Sequence, residues 1–166
     1  MQSYDLSDLE VIIAEDNEPM REILRGVLWA LGVRQIKSME NGLDVFEHIK
    51  KHDVDLIVSD NMMSPMTGIE LISLIRSGAD GVDPFIPFIM ISGYTDLERI
   101  IEARDAGINE YLAKPVSAKK IYQRISSVIE NPRDFVRTAN FFGPDRRRHA
   151  KPISGPDRRK NDYTYR

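Results

Sequence analysis

Five short apolar runs alternate with helix-like segments between residues 9 and 130. The segment that follows the first run carries apolar residues at three- and four-residue spacings, with Pro19 near its start and Gly32 at its end. Strands that alternate with helices pair in parallel, and right-handed crossovers place the helices on both faces of the sheet. The pattern predicts a doubly wound α/β domain. The five expected strands cover residues 9–15, 35–39, 55–59, 85–92 and 110–114.

Polar side chains stand where four of these strands end. Glu15 and Asp16 follow the first strand and Asp60 the third, while Ser92 and Lys114 end the fourth and fifth. Ligands of doubly wound sheets bind outside the carboxyl ends of the strands, so we expect these side chains to share one crevice.

Clustered carboxylates repel one another unless a cation neutralises them, and an all-oxygen ligand set suits a hard ion such as Mg²⁺. With Lys114 and Ser92 beside it, such a cluster is suited to holding a phosphoryl group. Two reactions are then open: a bound phosphoester is hydrolysed, or Asp60 itself becomes phosphorylated.

Composition excludes several classes of protein. The chain has no cysteine, so disulfides, thiolate catalysis and cysteine-bound zinc are ruled out. No run approaches the roughly 18 apolar residues of a membrane span, and the first ten residues are acidic, unlike a signal peptide. We therefore expect a cytosolic protein. No glycine-rich nucleotide loop occurs either.

Charge divides the chain into two parts. Residues 1–131 carry 13 basic and 22 acidic side chains, whereas residues 132–166 carry 10 basic and 4 acidic ones. This division predicts an acidic domain over 1–131 and a basic C-terminal extension over 132–166.

The motifs of the acidic part resemble one family. "EDN" after the first strand, "SD" and "MTG" around the third, "ISG" after the fourth and "YLAKP" at the fifth occur in the order found in the receiver domains of bacterial two-component response regulators. The resemblance spans about residues 8–130. It implies a flavodoxin-like fold with strand order 2-1-3-4-5.

The resemblance also assigns roles at the crevice. Asp60 is the expected acceptor of a phosphoryl group from a sensor histidine kinase or a phosphotransferase. Glu15, Asp16, Asp60 and the backbone carbonyl of Met62 are the expected Mg²⁺ ligands. Lys114 is expected to pair with phosphoryl oxygens, next to a cis Lys114–Pro115 bond.

Further roles implied by the resemblance concern signalling. Ser92 and Tyr111 form the expected switch, which alters the surface of the fourth helix, fifth strand and fifth helix. Met62 and Tyr94 occupy the positions that control loss of the phosphoryl group. Neither offers a carboxylate or amide to orient water, so we expect slow self-dephosphorylation. The chain departs from the family pattern in one place: Ser64 occupies the position where the family has a proline, and the proline of this chain, Pro65, comes one residue later.

The extension is harder to interpret. Asn131 and Pro132 are typical of a helix start, so a short helix is expected there, followed by an extended or disordered segment past Gly143. "FGPDRRR" at 142–148 recurs as "SGPDRRK" at 154–160. The extension's apolar residues are expected to pack on the domain or on a partner; they are Phe135, Val136, Phe141 and Phe142.

The arginine repeats allow an electrostatic arm or a docking site for an acidic protein surface, including a second copy of the chain as a homodimer. Nucleic acid is not favoured, because no helix-turn-helix or aromatic platform accompanies the arginines. His48 and His52 have a spacing compatible with metal binding, but a solvated helix end explains them better. Trp29 is expected in the core.

These observations favour a stand-alone response regulator that signals through phosphorylation-dependent protein contacts and acts as an enzyme only on itself. One alternative is a receiver-like scaffold that never becomes phosphorylated and binds partners through the extension. Another is a phosphatase of the haloacid-dehalogenase type, but that type has a second aspartate where this chain has Met62. The sequence does not identify the kinase, the output protein or the pathway.

Overall fold

The computed structural model describes residues 5–146 and the backbone of 163–165. Five strands and five helices alternate up to residue 130, with a single 3-10 turn (Ala79–Gly81) before the fourth strand. The strands are β1 (Glu10–Ala14), β2 (Gln35–Met39), β3 (Leu56–Asp60), β4 (Phe88–Ser92) and β5 (Glu110–Ala113). The helices are α1 (Glu18–Ala30), α2 (Gly42–Ile49), α3 (Gly68–Ser77), α4 (Leu97–Ala106) and α5 (Ala118–Glu130).

The five strands form one parallel sheet in the order β2-β1-β3-β4-β5. This order confirms the predicted doubly wound, flavodoxin-like fold. The order reverses between β1 and β3, which places the crevice of such folds at the ends of these two strands.

Each face of the sheet carries its own apolar core. Helices α2, α3 and α4 cover one face, and α1 and α5 cover the other. β3 and β4 are buried along their whole length, as expected of central strands in a sheet that is covered on both sides.

Local capping fixes where the helices start. Asn17 caps α1 by accepting a hydrogen bond from the Met20 N–H. Pro19 therefore lies in the first turn of α1, near the helix start as predicted. Thr67 and Glu70 form a reciprocal capping box at α3. These caps begin α1 and α3 directly after the loops that carry the polar residues.

The sequence-based prediction for Trp29 was wrong. Its side chain is 55% exposed, and the Arg34 guanidinium lies 4.4 Å from the ring centroid. On α1 only Leu24 and Leu28 are fully buried, so the apolar stripe read from the sequence is wider than the face that the helix buries.

The short helix predicted after Asn131 was also wrong. Asn131 caps the end of α5, and the chain continues into an antiparallel hairpin of β6 (Phe135–Arg137) and β7 (Phe142–Pro144). The backbone of β8 (Tyr163–Tyr165) pairs with the other edge of β6. Pairing to β7, together with burial of Phe135, favours a strand over a free helical turn. Part of the first arginine repeat and all of the second lie outside the described residues.

Phe135 and Phe142, two of the four apolar residues of the extension, pack on the domain as expected. Phe135 is 7% exposed and lies against Phe85, with ring centroids 5.0 Å apart, and Phe142 lies 5.4 Å from Phe85. Within the described residues, no helix is both long enough and apolar enough to cross a membrane.

Candidate phosphoryl-acceptor site

The acidic residues meet at the carboxyl edge of the sheet. Glu15 follows β1 and its N–H still bonds to Met39, while Asp60 is the last residue of β3. One carboxylate oxygen from each of Glu15, Asp16 and Asp60 lies within 4.8 Å of the others. Glu15 and Asp60 are buried and Asp16 is exposed, so the cluster opens to solvent on one side.

Lys114 bridges the two buried carboxylates. Its Nζ lies 2.9 Å from Glu15 Oε2 and 3.1 Å from Asp60 Oδ1. The structure thus brings together four of the five residues that the sequence placed at the strand ends. The fifth, Ser92, ends β4 one residue beyond Ile91, which pairs with Asp60.

Burial and pairing shift the ionisation of these groups. Burial raises the pKa of the Glu15 carboxyl, the Lys114 hydrogen bond opposes this shift, and the nearby Asp60 charge adds to it. Burial alone would lower the pKa of Lys114, but its hydrogen bonds to Glu15 and Asp60 outweigh that and raise it. At neutral pH the lysine therefore stays charged between two carboxylates.

The residues fit a hard divalent cation. Three carboxylates without nitrogen or sulfur donors are the ligand type that Mg²⁺ prefers, and they exceed the single positive charge of Lys114. Within the described part of the chain, this is the only cluster of three or more acidic or histidine ligands. His48 and His52 instead stack on each other with ring centroids 4.3 Å apart.

The loop after Asp60 turns tightly beneath α3. The Met62 N–H donates to Asp60 Oδ2 at 3.0 Å, and the Gly68 N–H donates to the Asn61 carbonyl at 3.0 Å. A Cβ on Gly68 would lie 2.5 Å from the Asp60 carbonyl oxygen, so only glycine fits. The Ser64–Pro65 bond is cis, and this is the point at which the sequence departs from the family pattern. The Lys114–Pro115 bond is also cis, as the resemblance implies.

The expected switch residues occupy the next strand ends. Ser92 is buried, and its Oγ accepts a hydrogen bond from the Tyr94 N–H at 3.2 Å. The Tyr111 hydroxyl donates to the Tyr94 carbonyl at 2.6 Å. The β4–α4 loop, residues 93–96, is thus held from both sides. Met62, on the other rim, is 50% exposed.

Two supporting residues were missed by the sequence analysis. The Arg21 Nη1 donates to the Glu15 carbonyl at 2.6 Å, and its Nη2 pairs with Glu40 at 3.2 Å. The Asn61 side chain accepts from the Ile69 N–H at 3.1 Å. Arg21 lies one turn into the helix that follows Glu15 and Asp16, and this position could have indicated that it contacts the acidic pair. For Asn61 the sequence contained no comparable signal.

Comparison with known proteins agrees with this geometry. The family model described as "Response regulator receiver domain" matches residues 11–126. The chain therefore belongs to the receiver domain family of response regulators.

Among curated relatives, chemotaxis protein CheY-3 of Vibrio cholerae is 33% identical over 130 residues, which cover 78% of this chain and 98% of the relative. Chemotaxis protein CheY of Pseudomonas aeruginosa is 30% identical over 122 residues, covering 74% and 97%.

Solved structures show the same fold. Chemotaxis response regulator CheY4 of Vibrio cholerae superposes with a TM-score of 0.65 at 23% identity, over 72% of this chain and 98% of that one. The receiver domain of sensor histidine kinase PA1611 from Pseudomonas aeruginosa, which has a magnesium ion in its active site cleft, gives a TM-score of 0.67 at 21% identity, over 74% and 98%.

Proposed function

We propose that Asp60 accepts a phosphoryl group, with Mg²⁺ bound by Glu15, Asp16, Asp60 and the Met62 carbonyl. One observation carries this proposal: a buried aspartate at a central strand end lies 3.1 Å from a lysine and within one cluster of two further carboxylates. The donor is expected to be a phosphohistidine of a sensor kinase or phosphotransferase.

In the reaction, an Asp60 carboxylate oxygen forms a bond to phosphorus while the bond from phosphorus to the donor nitrogen breaks, and the imidazole leaves with its electron pair. The product is an acyl phosphate. Lys114 lies close enough to Asp60 to neutralise charge on the transferred oxygens. Bound Mg²⁺ would neutralise the remaining negative charge of the acidic cluster.

Signalling would then pass through Ser92. Its hydroxyl now bonds the Tyr94 N–H, and a phosphoryl oxygen on Asp60 would offer it a charged acceptor. A shift of the β4–α4 loop would break the Tyr111 bond to Tyr94 and change the surface of α4, β5 and α5.

We expect the chain to act as a bacterial, cytoplasmic response regulator that catalyses only its own phosphorylation and dephosphorylation. Slow dephosphorylation is part of the proposal, because the exposed side chains of Met62 and Tyr94 offer neither a carboxylate nor an amide to orient an attacking water. Purified phosphoprotein should therefore keep its label for minutes or longer. Loss within seconds would contradict this.

Intact mass after incubation with acetyl phosphate and Mg²⁺ tests the acceptor. The full chain should gain about 80 mass units, one phosphoryl group, and the gain should be absent in Asp60→Asn and with EDTA. Asp53→Asn, which alters an exposed aspartate before β3, is the matched control and should gain the same mass. If the wild-type chain gains nothing, the unphosphorylated scaffold becomes the better reading.

A further inference from the structure

The β6–β7 hairpin (residues 135–144) packs against the end of α4. α4 is capped by Gly107, whose φ of 104° requires glycine. A Cβ on Gly143 of β7 would lie 2.9 Å from the Gly107 Cα, so the two backbones are in direct contact. Beside them, Arg146 pairs with Asp105 of α4 at 3.3 Å.

Arg76 joins this contact to the rest of the domain. Arg76 lies in the last turn of α3 and is only 4% exposed. Its guanidinium donates to the Gly107 carbonyl at 2.9 Å and to Asn109 Oδ1 at 3.0 Å. The guanidinium also lies 5.0 Å from the Phe135 ring centroid, a cation–π contact. One buried side chain therefore links α3, the end of α4 and the hairpin.

α4 buries little of its own side-chain surface. Ala103 is its only fully buried residue, whereas α3 buries five. Its large apolar residues Leu97 and Ile101 are 70% and 36% exposed. Contacts at both ends therefore help to set the position of α4: the Tyr111 bond to the β4–α4 loop at its start, and the Gly107 contacts at its end.

We propose that the hairpin is an intramolecular clamp on α4 that opposes phosphoryl loading of Asp60. This inference rests on the proposed function. A phosphoryl group that draws Ser92 away from the Tyr94 N–H displaces the loop that begins α4. Because α4 has little core of its own, that displacement reaches its far end, where the hairpin contacts hold it in the arrangement described here.

Coupling between two sites is reciprocal. Loading Asp60 should loosen the hairpin, and loosening the hairpin should make loading easier. Contacts of Gly143 and Arg146 with α4 stabilise the present arrangement only, so their removal favours a displaced α4.

The first experiment measures hydrogen exchange of the full chain with Mg²⁺, before and after addition of beryllium fluoride as a mimic of the phosphoryl group. The amides of residues 135–145, including the Asp145 N–H bonded to the Asp134 carbonyl, should exchange faster after loading. In Asp60→Asn the same additions should leave them unchanged.

The second experiment compares the beryllium fluoride affinity of Gly143→Ala and Gly26→Ala. The first substitution forces β7 away from Gly107, whereas a Cβ on Gly26 meets nothing within 4 Å. Gly143→Ala should bind several-fold tighter than wild type and Gly26→Ala should not. Asp105→Asn weakens the ion pair with Arg146 without adding bulk, so it should also tighten beryllium fluoride binding. This variant replaces Gly143→Ala in the comparison if Gly143→Ala does not fold.

The outcomes separate the two proposals. The clamp is disproved and the acceptor site stands if beryllium fluoride binds in an Asp60-dependent manner but the hairpin exchange is unchanged and Gly143→Ala binds as wild type does. If Gly143→Ala does not fold, Asp105→Asn takes its place in this comparison. If nothing binds at Asp60 and acetyl phosphate adds no mass, both proposals fail. Weaker binding by the hairpin variants would also overturn the clamp, since it would show that the hairpin supports loading.

Discussion

At the residue scale, the site depends on how one lysine is shared between two buried carboxylates. Lys114 lies about equally far from Glu15 and Asp60, so it offsets their mutual repulsion. The Lys114 ammonium also neutralises part of the negative charge that would otherwise attract a divalent cation. The chain is thus arranged to hold the acidic cluster together in the absence of a cation, at a cost in affinity for that cation.

Replacing Lys114 should therefore tighten Mg²⁺ binding. We expect Lys114→Met to raise the Mg²⁺ affinity roughly fivefold, about 1 kcal/mol, a typical magnitude for one partly exposed ion pair. Isothermal titration of the purified variant measures this directly. Lys119→Met, an exposed lysine on α5, is the control and should leave the affinity at the wild-type value. Equal or weaker binding by Lys114→Met would show that the lysine does not compete with the cation.

Gly68 is the second residue on which the site depends. Gly68→Ala places a methyl 2.5 Å from the Asp60 carbonyl oxygen, so the backbone must shift, at a cost of about 1–3 kcal/mol in unfolding free energy. Mg²⁺ affinity should fall with it, because the acceptor itself moves.

The matched substitution is Gly26→Ala, on an open face of α1, where alanine should stabilise the chain by about 0.5–1 kcal/mol through helix propensity. Urea unfolding of the two variants should therefore move in opposite directions. A stable Gly68→Ala with unchanged Mg²⁺ binding would mean that the loop tolerates displacement.

At the element scale, the sequence predicted the strands and helices of the domain well because each has a local signal. Buried parallel strands are continuous apolar runs, and their polar ends located the acidic site. The hairpin had no such signal, since three-residue strands show no periodicity and gain their stability from Phe85 and Arg76, which lie far away in sequence. Arg76 itself was missed because its partners include main-chain carbonyls, which sequence does not reveal.

His48 of α2 should make the unfolding free energy of the chain depend on pH. Burial, Lys37 and His52 lower the pKa of His48 below its ordinary 6.5, and Glu10 only partly opposes them. The unfolded chain then binds this proton at higher pH than the folded chain does. The unfolding free energy should accordingly fall as pH drops below about 6.5, toward the lowered pKa.

Urea unfolding at about pH 7.5 and about pH 5.5 measures this effect. His48→Gln should lose less stability than wild type between the two conditions, because it has no proton to bind. His48 is only half-buried and His52 is exposed, which keeps the difference small. An equal loss in both proteins would place the acid sensitivity elsewhere.

At the scale of the whole molecule, the domain boundary predicted at residue 131 separates two charge compositions but does not separate two packed bodies. Arg76 hydrogen bonds to the Pro84 and Ile86 carbonyls and contacts Phe135. Burial lowers its pKa to about 9, with Asp83 opposing the shift, so it remains charged at neutral pH. The described start of the extension thereby completes the packing around a buried charge of the domain.

If this packing is part of one cooperative fold, damage to the hairpin should destabilise the whole chain. Phe135→Ala removes a 7% exposed ring from a cluster with Phe85 and Phe142, which should cost about 3–5 kcal/mol. Trp29, on the opposite face of the sheet, reports on the domain by its fluorescence. Its urea midpoint should fall together with the far-ultraviolet circular dichroism midpoint, whereas Ile129→Ala, a 40% exposed residue at the end of α5, should change both only slightly. A Trp29 midpoint that stays fixed in Phe135→Ala would mean that the hairpin unfolds separately, and the extension would then be an independent appendage.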